Sequence, residues 1–160
     1  MNFKTRHHID ANLPIFVYGT LKRGMSRESA WPYLPLNVET AYVVGRLFEL
    51  GPYPAMIAGP NWIQGELWSF PREQLAKTLA AIDAIEGFTS GNEGDLYRRV
   101  VVRCQQEHPD PQELPFFTSL PRAEPSISAY TYYYADDLSS AFEITPNDEG
   151  ICLWTPRANR

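Results

Sequence analysis

Apolar residues along the chain fall into short segments of strand length, separated by glycines and prolines. The run Pro14–Tyr18 is fully apolar and stops at Gly19, which is typical of a buried strand. Apolar residues on both sides of Gly45 predict a bent or bulged strand, which Gly51–Pro54 ends. Together with alternating and β-branched segments further on, the pattern predicts five strands, at residues 14–18, 40–50, 62–70, 97–104 and 128–134.

One segment has a helical period instead. Residues 71–86 begin with a proline, which is favoured in a first helical turn, and end before Gly87, a natural left-handed cap. With three strands before this helix and two after it, the predicted fold class is α+β, with a mostly antiparallel or barrel-like sheet.

The whole chain of 160 residues is predicted to form a single domain, 1–160, with its core at about 14–135. Five prolines between residues 105 and 125 indicate an exposed proline-rich insertion, placed at 105–127. Residues 136–160 form a C-terminal extension, in which Ile151–Trp154 is the apolar part and packs as an edge or a lid.

Composition excludes several classes of protein. The net charge of −5 argues against a nucleic-acid partner, which would normally require a basic face. The apolar runs are far shorter than the ~20 residues of a membrane span, so no membrane partner is expected. Cys104 and Cys152 are isolated and are interpreted as reduced thiols of a cytoplasmic protein. The sequence leaves the oligomeric state open.

Glu86 is the most informative residue for chemistry. At 100° per residue it falls in the middle of the stripe formed by Leu75, Leu79 and Ile82, on the face that should be buried. Burial and the nearby C-terminal end of the helix both raise the pKa of such a carboxyl group. Two interpretations remain open here: a functional carboxyl group, or half of a buried ion pair with an arginine from the set Arg46, Arg98 and Arg99. Asp83, at the border of this face, is expected to be a solvated helix residue.

The end of the first strand is a second candidate site. Gly19 and Thr20 follow a buried strand, so backbone N–H groups are exposed there, and glycine lets a ligand approach the main chain. Such groups hold a carboxylate or a developing oxyanion. The three histidines are not at metal-ligand spacing, and nucleotide-binding glycine motifs are missing, so no metal and no cofactor is expected.

Five ordered blocks of the sequence together resemble the γ-glutamylcyclotransferase-like (AIG2-like) family. The similarity runs from about Ile15 to Tyr134, in the blocks Phe16–Gly24, Gly45–Phe48 with Tyr53–Ala55, Ile63–Trp68, Ile82–Gly87 and Tyr97–Arg99. This resemblance implies a small mixed β-barrel flanked by helices. It also implies an enzyme that cyclises a γ-glutamyl group to 5-oxoproline and releases the attached amine, with no metal or nucleotide.

The resemblance further implies the roles of individual residues. Glu86 would be the catalytic acid and base, and the segment Tyr18–Leu21 would bind the substrate through main-chain amides. The substrate-binding residues expected here are Tyr18, Gly19, Thr20, Leu21, Tyr97 and Tyr134. The partner would be a small γ-glutamyl compound, either a γ-glutamyl amine or a γ-glutamyl amino acid. Two alternatives remain: a non-catalytic module that binds a small carboxylate, and a protein-interaction module that uses the proline-rich insertion.

Overall fold

The computed structural model describes residues 8–89, 93–110 and 126–157 of the chain. Within them, seven strands form one sheet and a single α-helix packs against it. The helix, α1, spans Leu75–Glu86, and short 3-10 turns occur at Glu28–Ala30 and Arg72–Gln74. The strands are β1 (Ile15–Val17), β2 (Asn37–Glu49), β3 (Pro54–Ser69), β4 (Tyr97–Cys104), β5 (Ile127–Tyr134), β6 (Phe142–Ile144) and β7 (Ile151–Cys152).

The sheet is mixed and strongly curled. Its strand order is β4-β5-β1-β3-β2-β6, with β7 added beside β3. The β1–β5 and β3–β7 pairs are parallel and the others are antiparallel. A bridge between Tyr42 and Gln105 links β2 to the end of β4, the opposite edge of the sheet. The predicted α+β class with a small mixed barrel is confirmed, as a half-barrel with one helix.

The short strand β1 lies at the centre of the molecule and is buried on both faces. Its alternate residues face opposite sides of the sheet, as strand geometry requires. Phe16 joins the cluster inside the barrel, whereas Ile15 and Val17 join the cluster beneath α1. Burial on both faces explains why this segment is a continuous apolar run rather than an alternating one.

Most predicted elements are confirmed, but the start of the third strand and the extent of the core differ from the prediction. The register of β2 against β3 shifts between Gly45 and Arg46, where a bulge was expected. The strand predicted at residues 62–70 begins earlier, at Pro54, because β2 pairs with residues 54–57 as well as with 61–69, and residues 58–60 lie unpaired at the register shift. The core also extends beyond the predicted limit of residue 135, since Ile151, Cys152 and Trp154 are at most 2% exposed.

Other expectations concern cysteines, membranes and the insertion. Cys104 and Cys152 are free and buried. None of the helices in the described segments has the length and hydrophobicity needed to cross a membrane. Of the insertion predicted at 105–127, residues 111–125 lie outside the described residues, so its predicted exposure stays a prediction.

Candidate active site

A cavity of about 110 Å³ opens where β1 ends and α1 ends. This volume is far above the ~15 Å³ that one water molecule needs. The lining comes from the segment after β1, the C-terminal end of α1, the turn before β3, and strands β4 and β5. Its residues are Phe16, Val17, Tyr18, Gly19, Thr20, Leu21, Arg27, Tyr53, Pro54, Ile85, Glu86, Leu96, Tyr97 and Tyr132.

Glu86 is the last residue of α1 and lines this cavity. Leu75, Leu79 and Ile82 of the same helix are at most 1% exposed, so the buried stripe expected from the sequence exists and ends at Glu86. Burial raises the pKa of the Glu86 carboxyl group to about 7, and the positive charge of Arg27 works against that rise. A group with a pKa near neutrality accepts and returns protons readily at physiological pH.

The ion pair considered as an alternative for Glu86 is not formed. Arg46 binds Glu143 at 2.8 Å, and Arg99 binds Asp83, so both arginines have other partners. Arg98 is exposed on β4. Across the described segments, the Glu86 carboxylate has no salt bridge and no hydrogen bond. It is therefore a partly buried carboxyl group that faces a cavity without a directly bonded partner.

Asp83 does not have the solvated position expected for it. Its carboxylate accepts a hydrogen bond from the Tyr132 hydroxyl at 2.6 Å and forms a salt bridge with Arg99. Burial raises the pKa of Asp83, while the Tyr132 hydrogen bond and the Arg99 charge lower it. The contact fixes the end of α1 to strands β4 and β5, and so positions Glu86 one turn further on.

The buried segment Tyr18–Leu21 forms the floor of the cavity. The backbone N–H groups of Gly19, Thr20 and Leu21 donate to no acceptor within the described part of the chain. Buried N–H groups almost always have a hydrogen-bond partner in a folded protein. Because these three have none among the described residues, they are available to bind an anionic or carbonyl oxygen of a ligand. The segment itself is held in place by hydrogen bonds from Lys22 N–H to the Gly19 carbonyl and from Arg27 N–H to the Thr20 carbonyl.

Gly19 has a packing role in addition to the one expected from the sequence. A Cβ atom built on it would lie 2.6 Å from Cγ of Pro54, far closer than carbon atoms pack. The ring of Pro54, another cavity residue, therefore occupies the side of the main chain that a side chain at Gly19 would fill. Any substitution here would displace that ring.

Six of the seven predicted site residues line the cavity: Glu86, Tyr18, Gly19, Thr20, Leu21 and Tyr97. The two tyrosine hydroxyls donate to backbone carbonyls, from Tyr18 to Tyr132 at 2.7 Å and from Tyr97 to Pro54 at 3.0 Å. Tyr134 is not part of the lining, and its ring instead packs edge-on against Tyr97 at 5.2 Å between ring centroids. It supports the wall of the cavity from behind.

The prediction missed three polar residues of the lining: Arg27, Tyr53 and Tyr132. Arg27 belongs to a turn with several basic residues, which was the only signal for it in the sequence. Tyr53 lies in the Gly51–Pro54 break and Tyr132 is one of several aromatic residues on β5, so nothing local marked either of them. Groups of three or more His, Cys, Asp or Glu side chains suited to a metal ion do not occur in the described segments.

Comparison with known proteins gives an independent result. Residues 15–149 match the family model described as gamma-glutamyl cyclotransferase, AIG2-like. None of the curated proteins matches the sequence. Among solved structures, an AIG2-like protein from Mus musculus is 19% identical, with a TM-score of 0.50 over 93% of this chain and 99% of that one. A protein from Arabidopsis thaliana is 20% identical, with a TM-score of 0.50 over 81% and 74%. At these identities the structures show a shared fold.

Proposed function

Since this chain belongs to the gamma-glutamyl cyclotransferase, AIG2-like family, we propose that it cyclises a γ-glutamyl compound to 5-oxoproline and a free amine. The observation that carries the proposal is Glu86, a partly buried carboxyl group whose pKa is raised to about 7 and which has no bonded partner in the described segments. It shares its cavity with Gly19, Thr20 and Leu21, whose backbone N–H groups have no acceptor among the described residues. One side of the cavity can thus move a proton while the other holds an oxygen that gains negative charge.

In the proposed reaction, the α-amine of the substrate forms a bond to its own γ-carbonyl carbon. Glu86 in its ionised form removes a proton from the α-ammonium group and so frees the electron pair that attacks. The N–H groups of Gly19, Thr20 and Leu21 bind the γ-carbonyl oxygen as it becomes an oxyanion, or the α-carboxylate. Glu86 then gives its proton to the departing nitrogen as the original amide bond breaks. The ring nitrogen still carries one proton more than the lactam, and it loses this proton through Glu86 to the released amine, which leaves as an ammonium ion.

The ring closes within one molecule, so orientation contributes much of the acceleration. Holding two reacting groups in place can supply several kcal/mol, up to about 10 kcal/mol in favourable cases. A compact cavity walled by Tyr18, Tyr97 and Pro54 favours a folded conformer of the γ-glutamyl group over an extended one. Nothing in this scheme uses a metal ion.

We propose that the protein is located in the cytoplasm, because both of its cysteines are free.

The test is to incubate the protein with a panel of γ-glutamyl amines and amino acids in the presence of a metal chelator. Released amine and 5-oxoproline are both measured, and they should appear in equal amounts. Glu86→Gln should lower kcat by at least about 1,000-fold, since its amide cannot take the proton. Glu73→Gln, an exposed substitution at the other end of the same helical segment, should leave kcat unchanged.

Three outcomes would contradict the proposal. Activity of Glu86→Gln close to that of the unsubstituted protein would remove Glu86 from the mechanism. Binding of γ-glutamyl compounds without turnover of any of them would favour a carboxylate-binding module on the same fold. Activity that disappears with chelator and returns with a divalent metal would overturn the metal-independent scheme.

A further inference from the structure

Arg27 is a cationic residue of the cavity lining whose side chain pairs with no carboxylate among the described residues. Its guanidinium carbon lies 5.9 Å from the centre of the Tyr53 ring, and both side chains are partly buried. Three other arginines, Arg46, Arg99 and Arg157, are each bound to a carboxylate. Arg27 forms no salt bridge with any residue that the structure describes.

The position of Arg27 in the cavity suggests which part of a substrate it meets. The floor of the cavity, from Tyr18 to Leu21, is buried, whereas Arg27, Tyr53 and Glu86 are partly exposed and so lie nearer to solvent, on the side that we call the mouth. The γ-glutamyl group must reach the floor so that its amine meets Glu86 and its carbonyl meets the backbone N–H groups. The departing amine then extends from the γ-carbonyl towards the mouth, where Arg27 lies.

We propose that Arg27 binds a carboxylate on the departing amine, so that the preferred substrates are γ-glutamyl amino acids rather than γ-glutamyl alkylamines. This inference rests on the proposed function. A guanidinium group offers two parallel N–H donors that match the two oxygens of a carboxylate, and such charged hydrogen bonds are stronger than neutral ones. The ring of Tyr53 stacks near the guanidinium and limits its freedom before the ligand arrives.

Arg27 also acts on Glu86 through its charge, which lowers the pKa of that carboxyl group. Removing the charge would change the rate with every substrate by the same factor. A preference for one substrate over another is a difference between two free energies, so the ratio of two substrates cancels this shared effect. The experiment therefore compares γ-glutamyl-alanine with γ-glutamyl-ethylamine, which differ only by the carboxylate of the departing amine.

In Arg27→Gln, the change at Glu86 alters kcat/KM by the same factor with both compounds. Beyond that shared factor, we expect kcat/KM to fall about 10- to 100-fold with γ-glutamyl-alanine and by less than about 3-fold with γ-glutamyl-ethylamine. Arg27→Lys keeps a positive charge and should retain part of the preference. Arg23→Gln removes an exposed arginine of the same turn that does not line the cavity, and should leave both values unchanged. Equal melting temperatures establish that the variants are folded.

An equal loss with both compounds would overturn the inference, because Arg27 would then bind the α-carboxylate or act only through Glu86. An unchanged ratio with full activity would also overturn it. The binding constants of the two compounds, measured by calorimetry on Glu86→Gln with and without Arg27→Gln, separate this question from catalysis. If the unsubstituted protein turns over neither compound, the proposed function fails. The inference fails separately if Arg27→Gln does not selectively weaken γ-glutamyl-alanine in that binding experiment, or if γ-glutamyl-alanine does not bind.

Discussion

Glu86 combines an energetic cost with the catalytic role that we propose for it. Burial among apolar side chains raises the pKa of its carboxyl group to about 7, compared with an ordinary value of 4.5. The same environment that makes the charged form costly makes the group a base at neutral pH. The neighbouring Asp83 has two bonded partners, so the two acids of one helical turn have different roles.

The cost predicts a pH-dependent effect on stability. The folded-state pKa lies above that of the unfolded chain, so ionisation of Glu86 opposes folding. The penalty is absent below about pH 4.5, grows between pH 4.5 and 7, and is constant above pH 7, where it amounts to at most about 3 kcal/mol. Glu86→Gln removes this penalty, so its free energy of unfolding should gain up to this amount between pH 4.5 and pH 8, relative to the unsubstituted protein.

Urea denaturation of both proteins at pH 4.5 and pH 8 gives the four free energies of unfolding from which this gain in stability is calculated. The exposed Glu73→Gln serves as the control and should shift by less than about 1 kcal/mol. A Glu86→Gln protein that loses stability specifically at pH 8 would mean that the ionised carboxylate has a cationic partner, and would contradict the environment described for it.

At the scale of elements, the end of α1 determines where the candidate base is placed. Gly87 adopts a left-handed conformation with φ of 69°, and the N–H of Phe88 returns to the Asp83 carbonyl at 2.9 Å. This six-to-one hydrogen bond is the mark of a Schellman motif, in which glycine is favoured at the residue after the last helical one. The chain thereby turns away directly after Glu86.

Gly87→Ala is expected to lower the free energy of unfolding by about 1–2 kcal/mol, because an L-residue is strained at this positive φ. The added methyl group itself fits, since it would meet only Cβ of Leu96 at 3.6 Å. Gly94→Ala is the matched control: its φ is outside the left-handed region, and none of the described residues lies within 4 Å of the added atom. Thermal or urea unfolding measures both. Equal effects at the two glycines would contradict the role of backbone conformation at Gly87.

At the scale of the whole molecule, the C-terminal segment is part of the barrel rather than an appendage. Ile151 and Cys152 pair in parallel with Trp62 and Ile63, and Trp154 is 2% exposed within the interior cluster. The Trp154 carbonyl accepts a hydrogen bond at 3.1 Å from the buried ammonium group of Lys22, next to the cavity floor. The end of the chain therefore supports the segment that we propose to bind the substrate.

Trp154→Ala should destabilise the protein by about 3–5 kcal/mol, the usual cost of emptying a large aromatic site in a core. Leu153→Ala, at a neighbouring residue that is 38% exposed, should cost less than about 1 kcal/mol. Chemical denaturation of the two variants tests this contrast. A small effect at Trp154 would show that the extension can leave the core without unfolding it.

The sequence predicted whatever depends on local periodicity and backbone chemistry. The end of α1 at Glu86, the bounds of β4, the irregularity at Gly45 and the doubly buried β1 all follow from apolar spacing and from glycine at the boundaries. The helix itself begins later than the predicted residue 71, at Leu75, after a 3-10 turn at Arg72–Gln74. Glu86 was found in the same way, because a carboxyl group on an apolar helical face conflicts with the pattern around it. These features are set by residues close together in the chain.

Tertiary structure decided what depends on residues far apart in the chain. Pro54–Ile57 is strand because Arg46–Glu49 of β2 pair with it, although proline disfavours strand locally, and residues 58–60 have no partner in β2. Arg99 forms its salt bridge with Asp83 rather than with Glu86, because packing alone determines which acidic residue of the helix faces β4. Arg27 and Tyr53 lie beside each other at the mouth of the cavity, because folding brings together two turns that are separated in the sequence. Local pattern contains no information about such distances, which chain folding alone determines.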